Sequence, residues 1–194
     1  EAAKKGLDEI GDVDLMIAVG SGTIHDITRY HAYEMKIPFF SVPTAASVDG
    51  FVSTVAAMTW HGFKKSFTAV SPIVVIADTD IFKEAPLRLT ASGVSDLLGK
   101  YTALADWKIT HLLTGEYICD EICKMEYEAL DRLRASLGGL TTGDKDAYEN
   151  LMYGLLLSGL AMQMTGNSRP ASGAEHHMSH LWEMEVINDY IDFY

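Results

Sequence analysis

The chain has 194 residues, 48% of them hydrophobic and 22% charged, with a formal net charge of −12. That composition excludes an intrinsically disordered chain and leaves room for one large domain or two smaller lobes. The acidic balance argues against a binder of nucleic-acid backbones, which needs many cations on one face, but not against a small anion held by backbone amides.

The first residues, EAAKKGLDEI, read as the tail of a helix. VDLMIAVG (13–20) is a short apolar run, as expected of a strand buried on both faces of a parallel sheet. GSGT (20–23) is a turn, and IHDITRYHAYEM (24–35) has helical spacing at Ile24, Ile27, Tyr30 and Met35. KIPFFSVP (36–43) is a second apolar run ended by Pro43, so the three form a βαβ unit, and such units build parallel sheets. STVAAMT and GFKKSFT, around His61 and Gly62, suit a hairpin. IVVIAD (73–78) is a further strand ending in Asp78.

From about Pro86 the pattern becomes helical. LTASGVSDLLGKYTALADWKITHLL has apolar residues at helical spacing, with Asp96 near a helix start, where it could serve as an N-cap or pair with Lys100. EYICDEICKMEYEALDRLRASL (116–137) is an amphipathic helix, acidic early and basic late. It carries Cys119 and Cys123, whose spacing is poor for a disulfide, so two thiols in a reducing compartment are expected. GGLTTGD (138–144) reads as a loop with Asp144 as N-cap, and the nearly all-apolar 147–166 as a central buried helix. NSRPASG breaks it before a last helix rich in histidine.

No apolar run approaches the ~20 residues of a membrane-spanning helix, and no signal peptide is visible. The chain begins without Met and ends at DFY with no terminating signal, so a piece of a longer protein is expected. The fold expected is α/β, with a Rossmann-like part over 1–85 followed by a helical part over 86–194.

Three segments carry chemistry. The glycine turn VGSGTIHD lies between strand and helix, where small residues let a diphosphate approach backbone amides at the helix N-terminus; it lacks the full G-x-G-x-x-G pattern because position 25 is His. Asp26 is awkward for an anion site. PTAASVDG (43–50) follows the next strand, so it reaches the same sheet edge and brings Thr44, Ser47 and Asp49, with Ser53 just beyond. In GAEHHMSH, His176 and His180 share a helix face, which suits a metal or an ordinary imidazole-rich helix; His177 points about 100° away.

Together VGSGTIHDITRY, SVPTAASVDGF, SGVSDLLGKYTALADW and RPASGAEHHMSH resemble, in the same order, segments of glycerol-1-phosphate dehydrogenases, above all their bacterial branch. The wider group is the iron-containing alcohol dehydrogenase, glycerol dehydrogenase and dehydroquinate synthase superfamily. The resemblance implies a two-lobed enzyme using NAD or NADP and one divalent metal ion, zinc or nickel. It would interconvert sn-glycerol 1-phosphate and dihydroxyacetone phosphate. It gives cofactor contacts to Gly22, Thr23, Ile24, His25, Asp26, Thr44, Ser47 and Ser53. Asp49 becomes a substrate-contacting aspartate, Asp96 a metal-binding carboxylate that touches substrate, His176 a metal ligand and His180 a substrate-side histidine.

The family's third metal ligand, a histidine in a His-Gly context, has no match before Tyr194. For the substrate phosphate the candidates are Arg169 with the start of the histidine helix, then Lys64 or Lys65. A cytoplasmic homodimer with no nucleic-acid or membrane partner is expected. The competing readings are a polyol dehydrogenase, a dehydroquinate-synthase-like lyase, and a non-enzymatic interaction protein.

Overall fold

A computed structural model describes residues 2–60 and 63–184. Helix α1 (Ala2–Glu9) leads into β1 (Met16–Gly20), α2 (Gly22–Met35) and β2 (Phe39–Pro43). A single 3-10 turn (Gly50–Val52) precedes β3 (Val55–Trp60), β4 (Phe63–Thr68) and β5 (Val74–Val75). Helices α3 (Thr79–Phe82), α4 (Leu87–Thr114), α5 (Asp120–Leu140), α6 (Lys145–Thr165) and α7 (Ala174–Met184) follow.

The sheet is parallel in the order β1-β2-β5, with Ala18 opposite Ser41 and Ser41 opposite Val75. β3 and β4 pair antiparallel as a separate ribbon, as the hairpin reading expected; its turn lies outside the described residues. The 73–78 run is regular strand only at Val74–Val75, although Ile73 and Ile76 still donate to Phe39 and Ser41 carbonyls on β2. The expectation that β1 is buried on both faces needs correction. Ala18 is 0% exposed and packs with Phe39 and Ala32, whereas Ile17 and Val19 on the other face are 57% and 59% exposed.

The main core lies among the helices. Leu97 of α4, Ala129 and Leu133 of α5 and Leu151 and Leu155 of α6 are fully buried together. Ala46 and Phe51, from the segment after β2, belong to the same cluster. That segment is seated by two helical glycines. A Cβ on Gly93 would collide with the Ala46 carbonyl, and one on Gly159 would stand 2.5 Å from the Asp49 carbonyl and overlap the Val52 side chain. Close packing leaves no slack for those atoms, so the glycines in ASGVSD and LSGLAM fix how deeply the loop enters the helices.

Two helix boundaries differ from the sequence reading. Gly138, Gly139 and Leu140 continue α5 and do not form a loop, with Leu140 buried in the core. Asp96 is no N-cap: α4 begins at Leu87, after Pro86, and Asp96 lies well inside it. Asp144 is the N-cap of α6, accepting from the Asp146 amide at 3.1 Å. Both cysteines are free thiols. Among the described residues, no helix is long and apolar enough to cross a membrane.

Candidate active site

The carboxyl ends of β1 and β2 bring the two loops together. The Thr44 amide donates to the Gly20 carbonyl at 2.9 Å, and a Cβ on Gly22 would find only Val48, at 3.5 Å. Ser21 stands at the N-cap of α2 without a side-chain cap bond. The first amides of a fourteen-residue helix therefore meet a turn of small residues, which fits a diphosphate.

The side chains beyond the turn are committed elsewhere. His25 is fully buried, with Nδ1 3.0 Å from the Ser21 carbonyl, Nε2 2.8 Å from Ser41 Oγ, and its ring edge-on to Phe51. Burial lowers its pKa, so it stays neutral. Asp26 accepts from the Ala57 amide and lies 3.6 Å from Arg29; burial raises its pKa to about 6 against the pull of Arg29. It ties α2 to the β3 ribbon. Ser53 Oγ is used within its own turn, donating to the Val55 carbonyl and accepting from the Val55 amide. Arg29, which the sequence reading passed over, is fully buried and donates to the carbonyls of His25, Gly50, Phe51, Ser53 and Val55. It holds the loop against α2.

Asp49, Asp96 and Lys100 converge. Lys100 Nζ donates to Asp96 Oδ1 and to Asp49 Oδ2, each at 2.8 Å, and the Asp49 amide donates to Asp96 Oδ2 at 2.8 Å. Lys100 is 1% exposed. Burial opposes its charge, but the two carboxylates outweigh that and raise its pKa. The Asp96 pKa is also raised, by burial and then by Asp49, against Lys100. Behind Asp49, Ser158 Oγ lies 3.0 Å from Asp49 Oδ2 and 3.0 Å from Glu126 Oε1. Neither Ser158 nor Glu126 was singled out in the sequence. The signal was there for Glu126, a carboxylate on the stripe formed by Ile122, Ala129, Leu130 and Leu133.

From α7, His176 Nε2 lies 3.0 Å from His180 Nε2, and His180 Nδ1 lies 3.2 Å from Lys64 Nζ on β4. Burial, then His180 and Lys100, lower the His176 pKa. These groups face a cavity of about 390 Å³ that also receives Lys65, Ser168 and Ser172. His177, expected to point away, lines it too. Arg169 instead donates from Nε to Glu116 at 2.8 Å. Asp96 and His176 offer the oxygen and nitrogen donors that a zinc- or nickel-type ion takes. Among the described residues, no three His, Cys, Asp or Glu side chains group to hold such an ion.

A three-stranded parallel sheet with an open glycine turn is thus followed by helices carrying a buried Asp–Lys–Asp cluster. Residues 1–86 match the family model described as iron-containing alcohol dehydrogenase. The solved structure of a probable glycerol dehydrogenase from Sinorhizobium meliloti superposes with a TM-score of 0.77 at 22% identity, over 98% of this chain and 56% of that one. The fold is thus that of the iron-containing alcohol dehydrogenases.

Within that group the resemblance to glycerol-1-phosphate dehydrogenases holds along the sequence. The chain is 46% identical to the glycerol-1-phosphate dehydrogenase [NAD(P)+] of Geobacillus thermodenitrificans over 93% of its length and 45% of that protein's. It is 39% identical to the enzyme of that name from Pyrococcus furiosus, over 93% of this chain and 52% of that one. The chain spans about half the length of the curated relatives it matches.

Proposed function

We propose that the chain is part of an NAD(P)-dependent, metal-assisted glycerol-1-phosphate dehydrogenase that interconverts sn-glycerol 1-phosphate and dihydroxyacetone phosphate. The observation that carries the reading is the cavity where His176 and His180 meet Lys64, Lys65, Ser168 and Ser172. It places cations and hydroxyls beside the candidate metal histidine, as a phosphorylated triose requires. Residues 1–85 would belong to the nucleotide-binding part and 86–194 to the metal and substrate part.

In this reading Asp96 and His176 hold the divalent ion, zinc or nickel, together with a ligand from outside the described residues. Bound there, the ion supplies Lewis acidity at the C2 oxygen and the nicotinamide supplies or accepts the hydride. The α2 amides around Gly22 and Thr23, with Thr44 and Ser47, hold the cofactor diphosphate. Asp49 accepts a hydrogen bond from the substrate's terminal hydroxyl, and its ion pair with Lys100 fixes it in place. His180, which bridges His176 and Lys64, would pass a proton between the C2 oxygen and solvent. Lys64 and Lys65 receive the phosphate, with Arg169, paired through Nε to Glu116, as the further candidate. A cytoplasmic homodimer follows from the resemblance alone.

The test is NADH oxidation by the intact protein with dihydroxyacetone phosphate, after chelation and with zinc or nickel restored. Metal-dependent oxidation that fails with unphosphorylated dihydroxyacetone supports the reading. Oxidation of dihydroxyacetone alone indicates a polyol dehydrogenase, and no oxidation of either sinks the dehydrogenase assignment.

A further inference from the structure

The second hydroxyl-bridged carboxylate, Glu126, has no part in the mechanism above, yet it is fully buried and 3.0 Å from the Ser158 hydroxyl that touches Asp49. A serine hydroxyl has one proton. Asp49 Oδ2 already accepts from the Lys100 ammonium at 2.8 Å, so it is fixed as an acceptor. The Ser158 proton therefore goes to Asp49. The remaining 3.0 Å contact, between Ser158 Oγ and Glu126 Oε1, is a hydrogen bond only if Glu126 supplies the proton; two lone pairs facing one another would repel. Glu126 Oε2 is buried with no hydrogen-bond partner, a position costly for a charged oxygen and cheaper for a neutral carbonyl.

We propose that Glu126 is a neutral carboxylic acid that donates to Ser158, and that Ser158 in turn donates to Asp49, fixing the orientation of the substrate-side carboxylate. Glu126 is a positioning residue: it acts through Ser158 and touches neither substrate nor cofactor. Burial raises its pKa to about 8 against the pull of Lys100, in the direction that the hydrogen-bond count requires. The assignment of Asp49 to substrate rests on the proposed dehydrogenase reading; the protonation of Glu126 does not.

The experiment therefore has two arms on the intact, metal-loaded protein. The first is the infrared difference spectrum of wild type against Glu126→Gln at pH 6.5–7. A protonated-carboxyl C=O band that disappears in the variant is expected; its absence overturns the proposal whatever the enzyme does. The second is steady-state kinetics with dihydroxyacetone phosphate. Glutamine keeps an N–H donor toward Ser158, so Glu126→Gln should stay within about threefold of wild type in kcat/KM. Ser158→Ala and Glu126→Ala, which break the chain, should lose about ten- to a hundredfold. The loss should appear in kcat as well as KM, because a loosened Asp49 misorients bound substrate. A folded Glu126→Gln as impaired as Glu126→Ala, or a fully active Ser158→Ala, overturns the positioning role. A wild type inactive on this substrate removes the dehydrogenase reading, and the infrared band then decides the state of Glu126 separately.

Discussion

The carbonyl oxygen of Asp49 lies against Gly159 of α6, 2.5 Å from where a Cβ on that glycine would stand. Alanine in a helix interior ordinarily gains about 0.5–1 kcal/mol over glycine. Here the sign reverses, because the methyl meets loop backbone and the Val52 side chain at once. Gly159→Ala is expected to lose about 1–3 kcal/mol in urea unfolding and to lower kcat/KM by displacing Asp49. A variant more stable than wild type would show that the loop is not pinned there.

Lys100 bridges Asp49 and Asp96, with 2% of its side chain exposed. Replacing it with an apolar chain strands two buried carboxylates. Lys100→Met should cost about 3–5 kcal/mol, and adding Asp49→Asn should return part of that by removing one stranded charge. If the double variant is no more stable than the single one in urea, the two sites are not coupled through this ion pair.

Much of this arrangement was legible in the sequence, for identifiable reasons. The apolar runs of β1 and β2 and the turn between β1 and α2 are local patterns, and Asp96 with Lys100 obeys helical i, i+4 spacing. What could not be read is set by tertiary contact. Whether Asp96 caps a helix or sits inside one depends on where α4 starts, and α4 starts earlier because Pro86, not a Ser or Asp, precedes it. The resemblance gave His25 to the cofactor turn, and only the fold shows its ring bonded to Ser41 of β2. Ser158 is one serine in an apolar helix; only the fold brings it between Asp49 and Glu126, 109 and 32 positions away. Arg29 drew no reading from the sequence, and only the fold closes the 50–55 carbonyls around it.

That ring of carbonyls makes Arg29 irreplaceable by lysine. A guanidinium donates in several directions from one plane, whereas an ammonium is a point charge with three donors. Arg29→Lys keeps the charge facing Asp26 but takes away donors that the Phe51 and Ser53 carbonyls use. A loss of about 3 kcal/mol is expected, with faster amide exchange across that segment. Unchanged exchange there would mean that the loop is held by Gly93 and Gly159 alone.

His176 is the histidine of the pair assigned to metal. His176→Ala should therefore reduce bound zinc or nickel, measured by elemental analysis of the intact protein, by at least about tenfold in affinity. His180→Ala should keep the metal and lose turnover. Equal metal loss in both variants would make the His176–His180 contact a joint ligand set and would move His180 out of the proton-transfer role.

The buried acids set how stability varies with pH. Glu126 is raised from 4.5 to about 8 in the folded protein, and Asp26 from 3.8 to about 6. The charged groups facing Glu126 are Lys100 and Asp96 from α4 and Asp49 from the loop. With a folded pKa above the unfolded one, the native state binds protons that the unfolded state has already released. The stabilisation is thus fully present below about 4.5 and is lost as pH climbs through about 8. Glutamine does not titrate, so Glu126→Gln removes that slope. Thermal melts should show the variant gaining on wild type as pH rises from 5 to 9, while Asp26 contributes a smaller decline ending near 6 in both proteins. A wild type that instead gained stability on the variant over that range would mean that Glu126 is ionised in the fold and paired with a cation.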